Sequence, residues 1–169
     1  MADIVDKVTR SRMMAKIRSR NTGPEVALRR ALHAVGVRFR IHAALPGTPD
    51  LAFRRYGAVC FVHGCFWHRH RRCPLATTPS TRPEFWQAKF DGNVQRDRLS
   101  KQELLKAGWR VAVVWECALT PDRISDTVHA LHLWLRSSSE QNFETGAIVA
   151  EPIGDNPFRE RSCGPKQPS

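Results

Sequence analysis

The chain has 169 residues, and its length, composition and charge exclude several classes of protein before any motif is considered. With 41% hydrophobic and 25% charged residues, it has the composition of a globular domain with a core of its own. No apolar run reaches the length of a membrane span or a signal peptide, so we expect a cytoplasmic protein without a membrane partner. Five cysteines in such a chain indicate metal ligands or free thiols rather than a disulfide framework.

The net charge of +11 is concentrated before residue 137. Residues 137–169 hold three of the 27 basic and five of the 16 acidic side chains, so residues 1–136 carry a net charge of +13. Lys and Arg side chains that neutralise phosphates release condensed counterions, which gives affinity for a polyanion. The charge therefore indicates a polyanionic partner, although a solvated basic surface would have the same composition.

In chain order, the first predicted element is a basic arm or short helix over residues 1–20, which hold six basic and two acidic side chains. Thr22 and Glu25 then form a capping-box pattern, followed by apolar residues at helical spacing. This pattern predicts a helix that ends at Gly36.

Three strands are predicted next. Residues 37–41 alternate apolar and basic side chains, as a half-buried strand does, and residues 51–53 and 58–62 are short apolar runs separated by a turn. We expect these three segments to form a meander.

The second half of the chain begins with another capping-box pattern, which opens a long predicted helix over residues 81–107. A β-branched and aromatic strand over residues 109–115 and a helix from Thr120 follow, so the predicted order is α-β-β-β-α-β-α. Residues 137–169 are polar and rich in Ser, Gly and Pro without a sustained period, and we predict a mostly disordered tail there. The folded domain is expected to be residues 21–136.

Residues that carry chemistry are crowded into the stretch 62–73, VHGCFWHRHRRC, directly after the third predicted strand. Cys65, His70 and Cys73 lie in this stretch, and Cys117 follows a strand that we expect to be its neighbour. Structural zinc sites take four such donors, often with two or three from one loop and the rest from a distant element. The alternative is that Cys65 and Cys73 are ordinary thiols and that Cys117 belongs to the core.

Two histidines of the same stretch, His63 and His68, remain outside that set. Imidazoles can transfer protons near neutral pH, and Asp50, before the preceding strand, supplies a carboxylate that could bind Mg²⁺. These three groups could therefore meet a hydrated cation and a phosphodiester, with Mg²⁺ polarising the phosphate and one of the histidines activating water. Alternatively, Asp50 shapes a turn and the histidines are surface residues. The spacing of Glu25 favours a capping role in its own helix.

The aromatic residues beside these histidines are Phe66 and Trp67, and Trp86 lies at the start of the long predicted helix. Aromatic side chains next to a basic surface can stack on bases or insert between base steps. For Phe66 and Trp67 we favour exposure. For Trp86, which is in phase with Phe90, packing against the core is an equal alternative.

Several motifs stand together along the chain: Pro-Gly-Thr-Pro-Asp50, Val-His-Gly-Cys-Phe-Trp-His68, Thr-Arg-Pro-Glu-Phe-Trp86 with Asn93 and Arg96-Asp97-Arg98, and Gly-Trp-Arg110 with Val-Trp-Glu-Cys117. This combination resembles the very short patch repair (Vsr) mismatch endonucleases over roughly residues 1–136. In that family a T:G mispair, left when 5-methylcytosine deaminates, is recognised and the strand is nicked 5′ to the mispaired T. The resemblance implies a Mg²⁺-dependent, strand-specific DNA endonuclease that initiates mismatch repair.

The fold implied by the resemblance is a restriction-endonuclease-like (PD-(D/E)xK-type) α/β core, with a central mixed β-sheet flanked by helices and a structural zinc site. The resemblance also implies that Asp50 and the main-chain carbonyl of Val62 bind Mg²⁺ and that Glu25 contacts water in the magnesium shell. His63 and His68 become the catalytic histidines. The role implied for Glu25 replaces the preference for simple capping, without excluding both.

The zinc ligands implied by the resemblance are the same four donors, Cys65, His70, Cys73 and Cys117. One departure from the family is that Arg71 and Arg72 separate His70 from Cys73 where one residue is usual, which leaves His68 open as a substitute ligand. The implied DNA-intercalating residues are Phe66, Trp67 and Trp86 from the major groove, with Met14 of the basic arm in the minor groove.

The implied partner is double-stranded DNA with a T:G mismatch, bound by a monomer in the cytoplasm at the nucleoid. A functional link to a cytosine-5 methylase and to general mismatch-repair proteins is also expected. Two alternatives stay open: a non-catalytic, zinc-containing module that binds distorted DNA, and a Vsr-like nuclease with a different DNA substrate.

Overall fold

The structure is a computed structural model that describes residues 20–146. Predictions for residues 1–19, including Met14 and nearly all of the basic arm, and for residues 147–169 lie outside the described residues. The elements are the helices α1 (Gly23–Ala34), α2 (Pro83–Lys106) and α3 (Ile124–Arg136) and the strands β1 (Leu51–Phe53), β2 (Ala58–His63), β3 (Arg110–Trp115) and β4 (Asn142–Glu144). No helix in this part of the chain has the length and apolar character to cross a membrane.

The four strands form one sheet in the order β1-β2-β3-β4. Strand β1 is antiparallel to β2, whereas β2, β3 and β4 run parallel to one another. Parallel neighbours need a crossover connection, and α2 supplies it between β2 and β3. His63 at the end of β2 is therefore in register with Trp115 at the end of β3. The chain segments that follow these two strands leave the sheet at the same end.

Helices cover both faces of the sheet, so the predicted mixed sheet flanked by helices is confirmed. The alternating residues of each strand face opposite sides. One face packs against α1 and α3 in the main core; its buried members include Leu28, Leu32, Leu51, Phe53, Cys60, Val114, Val128 and Leu131. The other face packs against α2 around Ala52, Val59, Leu104 and Val111.

The capping box of α1 is present as predicted. The Thr22 hydroxyl accepts a hydrogen bond from the Glu25 backbone N–H at 3.5 Å and donates to the Glu25 carboxylate at 2.9 Å. The same carboxylate accepts from the backbone N–H of Asn21 at 2.8 Å. Helix α2 differs from its prediction, because its N-cap is Arg82 in a left-handed conformation (φ 54°) without a side-chain capping hydrogen bond. Pro83, whose fixed φ suits a first helical position, begins the helix.

The structure corrects two predictions, one of a strand and one of a disordered tail. Residues 37–41 form no strand; only Arg40 makes an isolated bridge, to Ala52, and His42 has a left-handed φ of 54° that ends the extended segment. Strand β4 lies within the predicted tail, so that prediction is wrong for Asn142–Glu144. The Arg110 guanidinium donates to the carbonyls of Trp134, Leu135 and Glu140, which holds the segment after α3 next to β3.

Candidate active site and metal centre

The four predicted zinc ligands meet in one buried group, which we call the Cys/His cluster: Cys65, His70, Cys73 and Cys117. Their ligand atoms all lie within 4.8 Å of one another, and the Nδ1 atom of His70 is 3.4 Å from Cys65 Sγ and 3.5 Å from Cys117 Sγ. Three donors come from the loop after β2, and the fourth comes from the 3₁₀ turn after β3. They meet because β2 and β3 are parallel neighbours. The cluster could hold a metal ion.

The two arginines between His70 and Cys73 do not prevent this convergence. Arg72 has a left-handed φ of 57°, which folds the longer loop back toward the cluster. His68, the substitute ligand left open by the sequence, instead lies against Asp97. Burial also raises the pKa of the Cys65 thiol well above its ordinary value, so the thiol stays protonated unless a cation replaces the proton.

The histidine pair, His63 and His68, lies beside the cluster at the end of β2. The two rings are stacked, with centroids 3.9 Å apart and 7° between their planes. Burial, with the nearby charge of His68, lowers the pKa of His63 to about 3, so His63 is neutral at neutral pH. The Nδ1 atom of His68 is 2.6 Å from Asp97 Oδ2, which fixes the orientation of the second ring.

The ligand atoms of His63, His68 and Asp97 also lie within 4.8 Å of one another, as in a metal site. The ring geometry argues for a different use. Imidazole lone pairs lie in the ring plane, so two parallel stacked rings direct them side by side rather than toward one point. A carboxylate on one imidazole of a stacked pair is suited to proton transfer.

Sequence reasoning did not assign Asp97 a role, although the residue lies in one of the motifs. Trp86, Phe90, Asn93 and Asp97 are spaced by four, three and four residues in α2, which puts them on one helix face. Asn93 donates to the Trp67 carbonyl at 3.0 Å from the same face. This spacing was the available signal, but it does not identify the loop that the face contacts.

Asp50 lies just before β1 and accepts a hydrogen bond from the backbone N–H of Val62 at 2.7 Å. Burial raises the pKa of Asp50 to about 6, against the lowering effect of that hydrogen bond, and the charge of Glu25 raises it further. The charges of Arg29 and His68 also act on Asp50 and lower its pKa. Asp50, Val62, Glu25 and His68 therefore share one region of the molecule.

Glu25 is buried, with 4% of its surface exposed, and it has two sets of partners. In addition to the capping contacts at the start of α1, its carboxylate accepts from Arg29 Nη2 at 2.9 Å. Capping therefore describes only part of its surroundings, and the residue lies close enough to Asp50 to influence its pKa.

The predicted intercalating residues within the described chain, Phe66, Trp67 and Trp86, form one aromatic group. The ring centroid of Phe66 lies 5.0 Å from that of Trp67 and 5.7 Å from that of Trp86. The three side chains are half-buried, so the exposure favoured for Phe66 and Trp67 is only partial. Phe90, which is fully buried, lies 5.2 Å from Phe66 and supports the group from α2.

Carboxylates and imidazoles grouped at one end of the sheet, beside a cluster that could hold a metal ion, are the residue types of an enzyme active site. Comparison with known proteins identifies the family. A family model described as DNA mismatch endonuclease Vsr matches residues 2–74. The DNA mismatch endonuclease Vsr of Escherichia coli (strain K12) is 49% identical over 120 residues, which cover 70% of this chain and 76% of that protein.

Two nicking enzymes are also similar to this chain over much of their length. Type II nicking enzyme V.XorIIP of Xanthomonas oryzae pv. oryzae is 46% identical over 121 residues, covering 71% of this chain and 88% of that enzyme. Type II nicking enzyme V.NaeI of Lentzea aerocolonigenes is 37% identical over 145 residues and 82% of each chain. Among solved structures, the homing endonuclease I-Bth0305I catalytic domain matches with a TM-score of 0.47 and 18% identity, over 69% of this chain and 100% of that chain.

The chain belongs to the DNA mismatch endonuclease Vsr family. It is therefore an endonuclease that acts on DNA, which confirms the predicted class of enzyme.

Proposed function

We propose that this endonuclease nicks duplex DNA 5′ to the T of a T:G mispair, with Mg²⁺ as the catalytic cation and Zn²⁺ as a structural ion. The observation that carries this proposal is the convergence of Asp50, the histidine pair and the aromatic group at one end of the sheet. The names of the relatives, a mismatch endonuclease and nicking enzymes, support the same activity.

The donor set of the Cys/His cluster fits Zn²⁺. Three thiols and one imidazole are the ligands of a closed structural zinc site, and all four side chains are buried from solvent. Zn²⁺ would join the loop after β2 to the turn after β3. That link would hold Phe66, Trp67 and His68, which lie within the loop, at a fixed distance from the end of the sheet.

Oxygen donors near Asp50 fit Mg²⁺, which prefers carboxylate and carbonyl ligands and keeps water at its other positions. The N–H of Val62 donates to Asp50, and in a β-strand the carbonyl of one residue points to the same side as its N–H. Glu25 supplies a second carboxylate in this region. When bound, Mg²⁺ supplies polarisation of the scissile phosphate.

Proton transfer is assigned to His68. Because Asp97 Oδ2 is 2.6 Å from His68 Nδ1, that nitrogen carries the proton and the other ring nitrogen, Nε2, is left to exchange a proton with water. The Asp97 carboxylate stabilises the charged imidazolium that forms. His63, which is buried and neutral, fills the space behind the ring and keeps His68 from turning.

Recognition is assigned to the aromatic group and the basic surface around it. Lys89 lies over the Trp67 ring at 5.8 Å, and Arg82 lies over the exposed Phe85 ring at 4.8 Å. Rings that stack on bases and cations that neutralise phosphates would bind a duplex weakened by a mispair. Met14 and residues 1–20 are proposed to reach the minor groove.

The division of the chain and its partners are also part of the proposal. Residues 21–136 are the endonuclease domain, although β4 adds residues 142–144 to its sheet. We expect a monomer, because a single mispair needs one cut. The T:G substrate links the enzyme to a cytosine-5 methylase and to general mismatch-repair proteins.

The test is a labelled duplex with one T:G pair, incubated with the zinc-loaded protein and Mg²⁺. We expect one nick in the T strand, on the 5′ side of the mispaired T, and no cut in a duplex with a T:A or C:G pair at that position. The Asp50→Ala protein should bind the T:G duplex and fail to cut it. Equal cutting of the matched duplexes would refute mismatch specificity, and a cut at another mispair alone would identify a different substrate.

A further inference from the structure

The Trp115 side chain lies between the Cys/His cluster and the histidine pair and contacts both. Its ring is stacked on the His70 ring, with centroids 4.1 Å apart and 4° between the planes. It also meets the His63 ring edge to face, at 5.3 Å and 71°. Only 6% of Trp115 is exposed, and buried side chains are close-packed. A change in the orientation of this indole would therefore displace a ligand of the cluster, a member of the histidine pair, or both.

The residues that fix Trp115 belong to β4 and the residue after it. The indole Nε1–H donates to Glu144 Oε1 at 2.9 Å, and the backbone N–H of Trp115 donates to Thr145 Oγ1 at 3.0 Å. The backbone N–H of Thr145 in turn donates to the Val113 carbonyl at 3.1 Å. A buried indole N–H that loses its acceptor is left unsatisfied, which favours rotation of the ring toward another acceptor or water.

We propose that Glu144 and Thr145 are positioning residues, which act through Trp115 on the two chemical groups at its faces. Their hydrogen bonds are to Trp115 and to the backbone of β3, and through the indole the effect reaches His70 by stacking and His63 by the ring edge. The charge of Glu144 also acts on His70 directly, and Glu144→Gln, which removes the charge and keeps the acceptor, separates the two effects. The functional part of the chain then extends beyond residue 136, into the segment that the sequence predicts to be a disordered tail. The inference rests on the proposed function for the roles of the zinc ion and of His63.

The first test measures metal retention in the full-length, zinc-loaded protein without DNA. Glu144→Ala should release Zn²⁺ to a chromogenic chelator about fivefold faster than the unaltered protein, the factor that corresponds to one hydrogen bond of typical net strength. Glu144→Gln keeps a carbonyl acceptor and should restore the slow rate. The matched control is Glu140→Ala, which removes the same charge from an exposed position of the same segment and should leave the rate unchanged.

A double-mutant cycle tests whether the effect passes through the indole N–H. Trp115→Phe removes that donor and keeps an aromatic ring against His70, so adding Glu144→Ala should have no further effect on metal release. Thr145→Val, which removes the acceptor of the Trp115 backbone N–H, gives an independent variant should Glu144→Ala fold poorly. Release from Glu144→Ala at the unaltered rate, or the same acceleration in both backgrounds, would overturn the proposal.

Nicking measured on the same variants separates this inference from the proposed function. Glu144→Ala should lower kcat and leave KM for the mismatched duplex unchanged, because Glu144 is assigned no contact with DNA. A rise in KM with unchanged kcat would contradict the positioning role. If the unaltered protein does not nick the T:G duplex, the proposed function fails, whereas the metal-release result still decides whether Glu144 positions the cluster.

Discussion

The Cys/His cluster and the surroundings of Asp50 lie at the same end of the sheet, but their ionisable groups are held in opposite ways. In the cluster, four buried donors face one another, and a single bound cation would satisfy all of them. At Asp50, burial and the nearby Glu25 raise the pKa to about 6, so at neutral pH the carboxylate is ionised against the preference of its surroundings. The first arrangement would stabilise the fold once a metal is bound, whereas the second costs stability because it holds a carboxylate ionised in a buried place.

The largest expected effect that distinguishes the two regions comes from Cys117→Ser. We expect loss of the bound zinc and a fall in stability of several kcal/mol, since structural zinc in small domains contributes about 10–16 kcal/mol of apparent binding free energy. Metal content by elemental analysis and a thermal unfolding curve check this. The matched control is Cys60→Ala, at a free cysteine that is also fully buried but lies in the main core, where only a packing loss and full zinc content are expected. Full zinc content in Cys117→Ser would remove Cys117 from the site.

The next effect concerns the histidine pair. Asp97→Asn removes the charge that stabilises the His68 imidazolium, so we expect kcat for nicking to fall about 10- to 100-fold with little change in KM. Steady-state kinetics on the T:G duplex measure both constants. The control is Asp91→Asn on the same helix. The Asp91 carboxylate is exposed and accepts a hydrogen bond from the Gln87 side chain. If both variants nick at the unaltered rate, Asp97 has no part in proton transfer.

The Cys/His cluster could be predicted from the sequence because its pattern is local. Three donors stand within nine residues of one loop, and the fourth follows a strand that reads as the neighbour of the preceding one. The first helix could be predicted for the same reason, since the partners of its capping box, Thr22 and Glu25, are three residues apart.

Features that depend on tertiary contacts were missed. Asp97 contacts His68 only because one face of α2 lies against the loop after β2, and helical spacing does not identify that neighbour. Strand β4 has three residues, too few for a period, and it is held by pairing with β3 and by the contacts of Arg110. In residues 37–41 the alternation reflects burial of Val37 in the core without a paired strand.

A smaller effect is expected on stability at Asp50. Asp50→Asn keeps an oxygen that can accept from the Val62 N–H and removes the buried charge, so the variant should be more stable than the unaltered protein by on the order of 1–3 kcal/mol at pH 7.5. Denaturant unfolding of the zinc-loaded proteins without added Mg²⁺ measures the difference. Asp91→Asn, at an exposed position, should change stability little. An Asp50→Asn protein that is less stable would contradict the cost assigned to the ionised carboxylate.

The smallest effect is the pH dependence of that same difference. The pKa of Asp50 is raised on folding from its ordinary 3.8 to about 6, so the folded state binds the proton more tightly than the unfolded state. The cost of ionisation is therefore complete above about pH 6, declines as the pH falls from 6 to 3.8, and disappears below 3.8, where Asp50 is protonated in both states. The stability curves of the unaltered protein and Asp50→Asn should converge over this range. Bound Mg²⁺ should reduce the gap at pH 7.5 by stabilising the ionised form, whereas curves that stay parallel throughout would mean that another group causes the difference.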